Sequence, residues 1–270
     1  MCQLLGMSCN VPTDICFSFS GFAKRGGGTD VHRDGWGIGF FEGDDGRGCR
    51  VFLDPSPSIE SPLAGLVKDY PIQSMNVVAH IRKATQGDIN LQNTHPFQRE
   101  LWGRYWVFAH NGNLVDFAPP LSGRYLPVGS TDSERAFCYL LDTLALRYGP
   151  TAPSYANLLE TIADVAATLR AHGPANFLLS NGRWLIAHCS TDLHYIVRRA
   201  PFNQAHLKDE DVSIDFSEVT TDTDCVSVIA TTPLTDNEAW TRIEPGTLML
   251  FRQGEPVESR PKAEPANQAG

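Results

Sequence analysis

Met1-Cys2-Gln3-Leu4-Leu5-Gly6-Met7, residues 1–7, opens the chain with a cysteine directly behind the initiator methionine. A small second residue lets the methionine be removed, which leaves a thiol and a free α-amino group on one residue. Such a residue can hold both halves of a nucleophilic catalyst, because the amine can act as the base for its own side chain. The ordinary pKa values are roughly 7.7–8.0 for the amine and about 8.5 for the thiol. Many chains begin Met-Cys without such a role, so the rest of the sequence must supply a substrate-binding pair and an oxyanion hole.

The composition is that of an acidic globular protein. The chain has 270 residues, 42% of them hydrophobic, and a formal net charge of -9. That charge argues against a nucleic-acid-binding surface and against binding to an anionic membrane. The seven cysteines include no Cys-x-x-Cys pair, so a zinc site and a redox motif both lack their usual sequence support. We see no signal peptide and no apolar run of roughly 18–20 residues, and therefore expect a cytoplasmic protein with reduced thiols.

Short strands dominate the predicted secondary structure. They are rich in Val, Ile, Phe, Trp and Tyr, and many are bounded by Gly, Pro, Asn or Asp. The predicted strands are 51–53, 76–82, 104–110, 176–180, 184–188, 194–198, 225–231 and 247–251, with a glycine-rich strand at 35–39. Asn181-Gly182 lies between two apolar runs and predicts a hairpin with a type I′ turn.

Three helices interrupt these strands. Thr131 with Glu134 three residues later forms a capping-box pattern, followed by apolar residues at helical spacing as far as Tyr148. A second helix is predicted from near Ser154 to Gly173, and a shorter one over 61–69. Sets of adjacent strands before and after a helical pair favour sheets packed face to face with helices outside. Residues 254–270 have no apolar period, and we expect a flexible tail there.

Two clusters near the middle of the chain carry candidate chemistry. His80-Ile81-Arg82-Lys83-Ala84-Thr85 ends an apolar strand with a cation and a hydroxyl, and arginine binds a carboxylate through two parallel bonds. An exposed arginine at a strand end is the alternative. In Thr94-His95-Pro96-Phe97, the histidine could be a ligand or an acid, although a packed imidazole is the favoured interpretation.

Two further clusters end a strand and begin a helix. His110-Asn111-Gly112-Asn113 places a side-chain amide beside a glycine N–H, a pair that can donate to a developing oxyanion, although Asn-Gly is also a common turn. In 129–134 the helix dipole is a sufficient reason for Asp132 in the first turn. The same carboxylate would also suit the ammonium group of a ligand.

Each motif is weak alone, but their order is specific. Met-Cys, Arg-x-Ala-Thr, His-Pro, His-Asn-Gly and Thr-Asp-Ser-Glu in succession resemble the glutaminase domain of class II glutamine amidotransferases. The segments 1–7, 32–39 and 232–235 resemble the stand-alone, YafJ-like branch of that family. The resemblance implies an N-terminal-nucleophile hydrolase with a four-layer αββα sandwich (class α+β), formed by two mainly antiparallel sheets flanked by helices. It runs from Cys2 to about Phe251, and we expect the domain to span residues 2–253.

The resemblance also implies roles for individual residues. Cys2 matches the nucleophile, and Asn111 and Gly112 match the oxyanion hole. Arg82, assisted by Thr85, matches the group that binds the α-carboxylate of glutamine, and Asp132 matches the acceptor of its α-ammonium. His95 matches a histidine near the pocket. No metal or organic cofactor is implied.

The resemblance leaves the substrate and the partner open. It predicts an amidohydrolase that acts on glutamine or a γ-glutamyl amide and releases glutamate and ammonia or an amine. A non-catalytic glutamine-binding module and a glutaminase subunit active only with a separate ammonia-accepting enzyme are the alternatives. Many family members carry Trp and His where this chain has Lys83 and Gln86, which affects the packing around the substrate. The loop 25–28 is expected to be mobile or to cover the pocket.

Overall fold

The computed structural model describes residues 2–43 and 45–260. In this part of the chain the strands, in order, are β1 Gln3–Thr13, β2 Trp36–Glu42, β3 Gly48–Asp54, β4 Ser74–Ile81, β5 Phe97–Leu101, β6 Arg104–Gly112, β7 Ala175–Ser180, β8 Leu185–His188, β9 His194–Arg199, β10 Gln204–His206, β11 Ser213–Asp215, β12 Cys225–Ala230, β13 Thr241–Arg242, β14 Leu248–Arg252 and β15 Glu255–Arg260. The α-helices are α1 Cys16–Lys24, α2 Pro62–Asp69, α3 Asp132–Tyr148 and α4 Tyr155–Ala171. Two 3₁₀ turns lie at Leu91–Asn93 and Phe216–Glu218.

The strands form two large antiparallel sheets and one small ribbon. The first sheet has the order β13-β9-β12-β1-β4-β2-β3, and the second has the order β15-β14-β8-β7-β6-β5. Strands β10 and β11 pair separately. The N-terminal strand β1 therefore lies in the middle of the first sheet, where β4 and β12 both pair with it in antiparallel register.

Three apolar clusters define the layers. The faces that the two sheets turn toward each other share one cluster, which includes Leu4, Val78, Val107 and Leu178. On the outer face of the first sheet, α1 and α2 contribute to a second cluster, and on the outer face of the second sheet α3 and α4 contribute to a third. This is the predicted four-layer αββα sandwich.

The sequence predicted most of these elements. All eight predicted strands overlap observed ones, and the glycine-rich stretch lies in β2. Ser61, Thr131 and Ser154 cap α2, α3 and α4, each accepting a bond from the N–H three residues later, as side-chain oxygens do at N-caps. The reciprocal half of the predicted capping box is absent, because Glu134 accepts from the Gly129 N–H instead.

Three local predictions need correction. The β7–β8 hairpin exists, but within its loop only Gly182 has a positive φ, so the turn is not type I′, which needs two such residues. The expected tail begins too early: β15 pairs with β14 over Glu255–Arg260. The remainder of that tail, 261–270, lies outside the described residues.

The third correction concerns the loop 25–28. Arg25 is buried, forms an ion pair with Asp209 and donates to the carbonyls of Thr232 and Pro233. The start of this loop is therefore anchored to the segment after β12. Among the described helices, none is long and apolar enough to cross a membrane.

Candidate active site

Cys2 lies in a buried position directly before β1. Its Sγ accepts a hydrogen bond from the backbone N–H of Lys83 at 3.2 Å and lies 3.4 Å from the Lys83 carbonyl oxygen. Leu4 holds this end of the strand, since its N–H donates to Thr231 Oγ1 at 2.9 Å and its carbonyl accepts from the Thr231 N–H. The thiol is therefore fixed beside the segment that follows β4.

The environment of the Cys2 thiol has opposing effects on its ionisation. Burial raises its pKa above the ordinary value, whereas the Lys83 N–H and the Arg82 guanidinium favour the thiolate and the Asp132 carboxylate disfavours it. The net direction is upward because desolvation penalises the charged form most. A thiol in this position needs an adjacent base to become a nucleophile.

Arg82 is only 2% exposed and lies directly after β4. Its two terminal nitrogens donate to the carbonyls of Gln86, Gly87 and Asp88 at 2.9–3.0 Å. Three of the five N–H donors of an arginine are thus used to shape the loop that follows. The guanidinium that was predicted to bind a carboxylate is therefore partly occupied by these carbonyls. Thr85, three residues later, is exposed.

Asp132 is the first residue of α3, directly after its cap Thr131. Its Oδ2 accepts a hydrogen bond from the Leu114 N–H at 2.7 Å. Strand β6 ends at Gly112, so this bond connects the end of β6 to the start of α3. The carboxylate and the Arg82 guanidinium both act on the thiol of Cys2, which places an anion and a cation around the candidate nucleophile.

Asn111 and Gly112 end β6, where they pair with Asn176 and Ala175 of β7. The Asn111 side chain is fully buried, and neither its Oδ1 nor its Nδ2 has a hydrogen-bond partner among the described residues. A buried amide without partners is costly, and such exceptions in native proteins call for an explanation. A bound ligand that accepts from this amide would supply one.

His95 is a packed imidazole, the interpretation that the sequence favoured. It is buried, and its ring centroid lies 4.2 Å from that of His80 and 4.4 Å from that of Phe97. Burial and the neighbouring histidines hold its pKa well below the ordinary value. Its contacts give no support to a place in the substrate-binding set.

The buried histidines predict that the folded protein loses stability in acid. Burial lowers the pKa of His80 to about 3 and that of His188 to about 4. The unfolded chain then binds more protons than the folded one below the ordinary value of 6.5, so stability is lost as the pH falls from 6.5 toward these values. We expect these two residues to lower the free energy of unfolding by about 3 kcal/mol between pH 6.5 and pH 5.

Urea unfolding at pH 7, 6 and 5 measures this loss. His188 Nδ1 lies 2.7 Å from the Ala175 carbonyl, and His188→Asn keeps an amide donor at the position of Nδ1 without the titrating group. This variant should lose less stability over the same pH range. A free energy of unfolding that stays level from pH 7 to pH 5 would contradict the prediction.

An open cleft of about 420 Å³ lies beside Asp132. Leu114, Val115 and Phe117 give it an apolar side, and Gln86 and Arg135 also line it. From the sequence, Lys83 and Gln86 were noted only as departures from the family pattern, and neither Arg135 nor the backbone of Lys83 was expected in the site. Nothing in the local sequence distinguishes these residues from ordinary surface residues. Only the folded chain brings them to the cleft or to the Cys2 thiol.

The family model for class II glutamine amidotransferases matches residues 1–269. The chain belongs to this family. The Escherichia coli K12 protein YafJ, whose name assigns it provisionally to the glutamine amidotransferases, is 58% identical over 257 residues, which cover 95% of this chain and 100% of YafJ. A crystal structure of a predicted glutamine amidotransferase from Pseudomonas aeruginosa PA01 is 47% identical, with a TM-score of 0.76 over 95% of this chain and 99% of that one.

A more distant relative carries a more specific name. The gamma-glutamyl-hercynylcysteine sulfoxide hydrolase of Mycobacterium tuberculosis H37Rv is 32% identical over 178 residues, which cover 63% of this chain and 64% of that protein. The resemblance to class II glutamine amidotransferases inferred from motif order is thus confirmed. The fold expected from it is confirmed as well.

Proposed function

We propose that this chain is an N-terminal-cysteine amidohydrolase that acts on glutamine or a γ-glutamyl amide. The observation that carries the proposal is the position of the buried Cys2 thiol, which accepts a hydrogen bond from the Lys83 N–H directly after Arg82. The charges of Arg82 and Asp132 also act on its pKa. A zwitterionic amino acid needs a cation and an anion placed apart from its scissile amide. The membership of the family and the hydrolase among the relatives support the same class of reaction.

The proposed reaction begins once Met1 has been removed. The α-amine of Cys2 takes the proton of the thiol, and the thiolate attacks the side-chain carbonyl carbon of the substrate. The negative oxygen of the tetrahedral intermediate accepts from the Asn111 amide and the Gly112 N–H. The C–N bond then breaks, and the leaving nitrogen departs as ammonia or an amine after it takes the proton from the α-ammonium.

A γ-glutamyl thioester on Cys2 remains. Water, deprotonated by the same amine, attacks the thioester carbonyl, and the thiolate leaves with regeneration of the free enzyme and release of glutamate. In this proposal Asp132 holds the α-ammonium of the substrate. Arg82 and Thr85 hold its α-carboxylate, for which Arg82 has two N–H donors that the loop carbonyls do not use.

The thiol must stay reduced for this chemistry. All seven cysteines are free, and thiols persist in a reducing compartment such as the cytoplasm. We therefore propose a cytoplasmic enzyme with a small-molecule substrate.

A substrate panel on the methionine-free protein tests the proposal, with the loss of Met1 verified by intact mass. We expect glutamate release from L-glutamine or from a γ-glutamyl amide such as γ-glutamylmethylamide, and no hydrolysis of L-asparagine, which is one methylene shorter. A glutamine-mimicking electrophile, 6-diazo-5-oxonorleucine, should add one adduct to Cys2. Neither turnover nor adduct would overturn the proposal in favour of a non-catalytic module, whereas an adduct without turnover would indicate dependence on a partner enzyme.

A further inference from the structure

Ser133 connects the two halves of the candidate site. Its Oγ lies 2.8 Å from His110 Nδ1 and 3.4 Å from Asp132 Oδ1. Ser133 is 5% exposed and His110 is also buried, so water does not screen the contact between them, whereas Asp132 also faces the open cleft. Residue 110 directly precedes Asn111 and Gly112, and residue 133 directly follows Asp132. One hydroxyl therefore lies between the carboxylate and the strand end that carries the oxyanion donors.

The other side of the imidazole faces Gly112. A Cβ built on Gly112 would come within 2.5 Å of His110 Nε2 and 1.8 Å of the Pro174 carbonyl oxygen. The imidazole and this carbonyl thus lie against the same face of Gly112. Burial lowers the pKa of His110 more than Asp132 and the Pro174 carbonyl raise it, so this pKa lies below its ordinary value. At neutral pH the ring therefore carries one proton, on one nitrogen or the other.

The Ser133 hydroxyl has one proton and two acceptors. If it donates to His110 Nδ1, the ring proton must lie on Nε2, where it faces the Pro174 carbonyl. If it donates to Asp132, the ring proton moves to Nδ1, and a bare lone pair on Nε2 faces that carbonyl oxygen. The hydrogen bond made by one imidazole nitrogen decides whether the other nitrogen carries the ring proton. The hydrogen bonding of Asp132 is therefore linked to the proton that lies near Gly112 and the Pro174 carbonyl.

We propose that Ser133 and His110 are positioning residues that transmit the occupancy of Asp132 to the oxyanion donors Asn111 and Gly112. The inference rests on the proposed function, in which Asp132 binds the substrate ammonium. That ammonium satisfies the carboxylate, so the Ser133 hydroxyl donates to His110 Nδ1 and the ring proton stays on Nε2, toward Pro174. The end of β6 is then held in one arrangement only when an amino acid is bound.

Steady-state kinetics of Ser133→Ala test this link. Alanine removes the hydroxyl that competes with the substrate ammonium for Asp132 in the free enzyme, so we expect KM for the donor substrate to fall. We also expect kcat to fall, since small misplacements of reacting groups reduce rates by up to about 10²-fold. Ser133→Thr keeps the hydroxyl and should restore both constants toward the parent values.

Ser18→Ala is the matched control, because Ser18 is also 5% exposed but lies on α1, away from the site. Its KM and kcat should equal those of the parent. Folded Ser133→Ala with both constants within 2-fold of an active parent would overturn the inference and leave the proposed function intact. An inactive parent would instead count against the proposed function.

His110→Asn provides a second test that does not depend on the folding of Ser133→Ala. An amide at this position can keep the bond to Ser133 but does not reach Gly112 and Pro174. We therefore expect KM near the parent value with a reduced kcat. An unchanged kcat in the folded variant would overturn the inference.

Discussion

Cys2→Ala is expected to reduce glutamate release to background, a loss of at least about 10⁴-fold. Removal of a catalytic nucleophile costs rates of this order, because only residual binding and oxyanion stabilisation remain. Alanine is also small, so Met1 should still be removed and the variant differs from the parent by the sulfur alone. The measurement is glutamate release from the best substrate of the panel, at matched concentrations of parent and variant.

Substrate binding should survive the loss of the sulfur. Arg82 and Asp132 remain in place, so the substrate should still raise the melting temperature of Cys2→Ala. Cys16→Ala is the matched control: Cys16 is half-buried at the start of α1, and its thiol makes a weak hydrogen bond of 3.8 Å to the Val67 carbonyl. That variant should turn over like the parent. Normal hydrolysis by Cys2→Ala would refute the proposed mechanism.

Gly112→Ala is expected to damage both stability and turnover. The added methyl group would lie 1.8 Å from the Pro174 carbonyl oxygen and 2.5 Å from His110 Nε2. Neither neighbour can move freely, because the Pro174 carbonyl accepts from the Asn113 N–H and His110 is held by Ser133. Insertion of a methyl group into such a space costs about 1–3 kcal/mol or more, which lowers the melting temperature by roughly 2–12 °C in a chain of this size.

The same shift would displace the proposed oxyanion donors Asn111 and Gly112. Loss of one such donor costs about 10²–10³ in kcat, and we expect a loss in that range. Thermal unfolding and steady-state kinetics measure the two effects separately. Gly65→Ala is the control, since a methyl group there meets no atom within 4 Å and Gly65 lies within α2. Parent-like melting and kcat for Gly112→Ala would show that the site accepts a methyl group beside the Pro174 carbonyl and would contradict this prediction.

Local sequence patterns predicted the elements whose signals are local. The caps Ser61, Thr131 and Ser154 were readable because a hydroxyl side chain bonds to the N–H three residues later. Strands β6, β7, β8 and β14 of the second sheet were readable from their β-branched and aromatic runs. By contrast, β1 was missed, although its first seven residues are buried. A strand buried on both faces has no alternation, and Gly6, Ser8 and Pro12 weaken the remaining signal.

Helix α1 was missed for a related reason. Its first residue is preceded by Ile15, which makes no side-chain cap, and its sequence includes Gly21. Packing of Phe19 and Phe22 against the first sheet stabilises it instead. Strand β15 was taken for tail because its residues are polar, and pairing with β14 decides its conformation. In each case a tertiary contact outweighs a weak local propensity.

The sequence alone determined the family, the layer architecture and the types of chemical group available, because motif order and side-chain identity are properties of the chain itself. Only the tertiary structure decided how those groups are used. It brought Cys2 against Lys83, which lies 81 residues away, engaged three donors of Arg82 with loop carbonyls, and inserted Ser133 between Asp132 and His110. These arrangements depend on contacts between residues distant in sequence and on competition for a limited number of donors. Neither leaves a periodic or local signal, because both arise only when the sheets and α3 pack together.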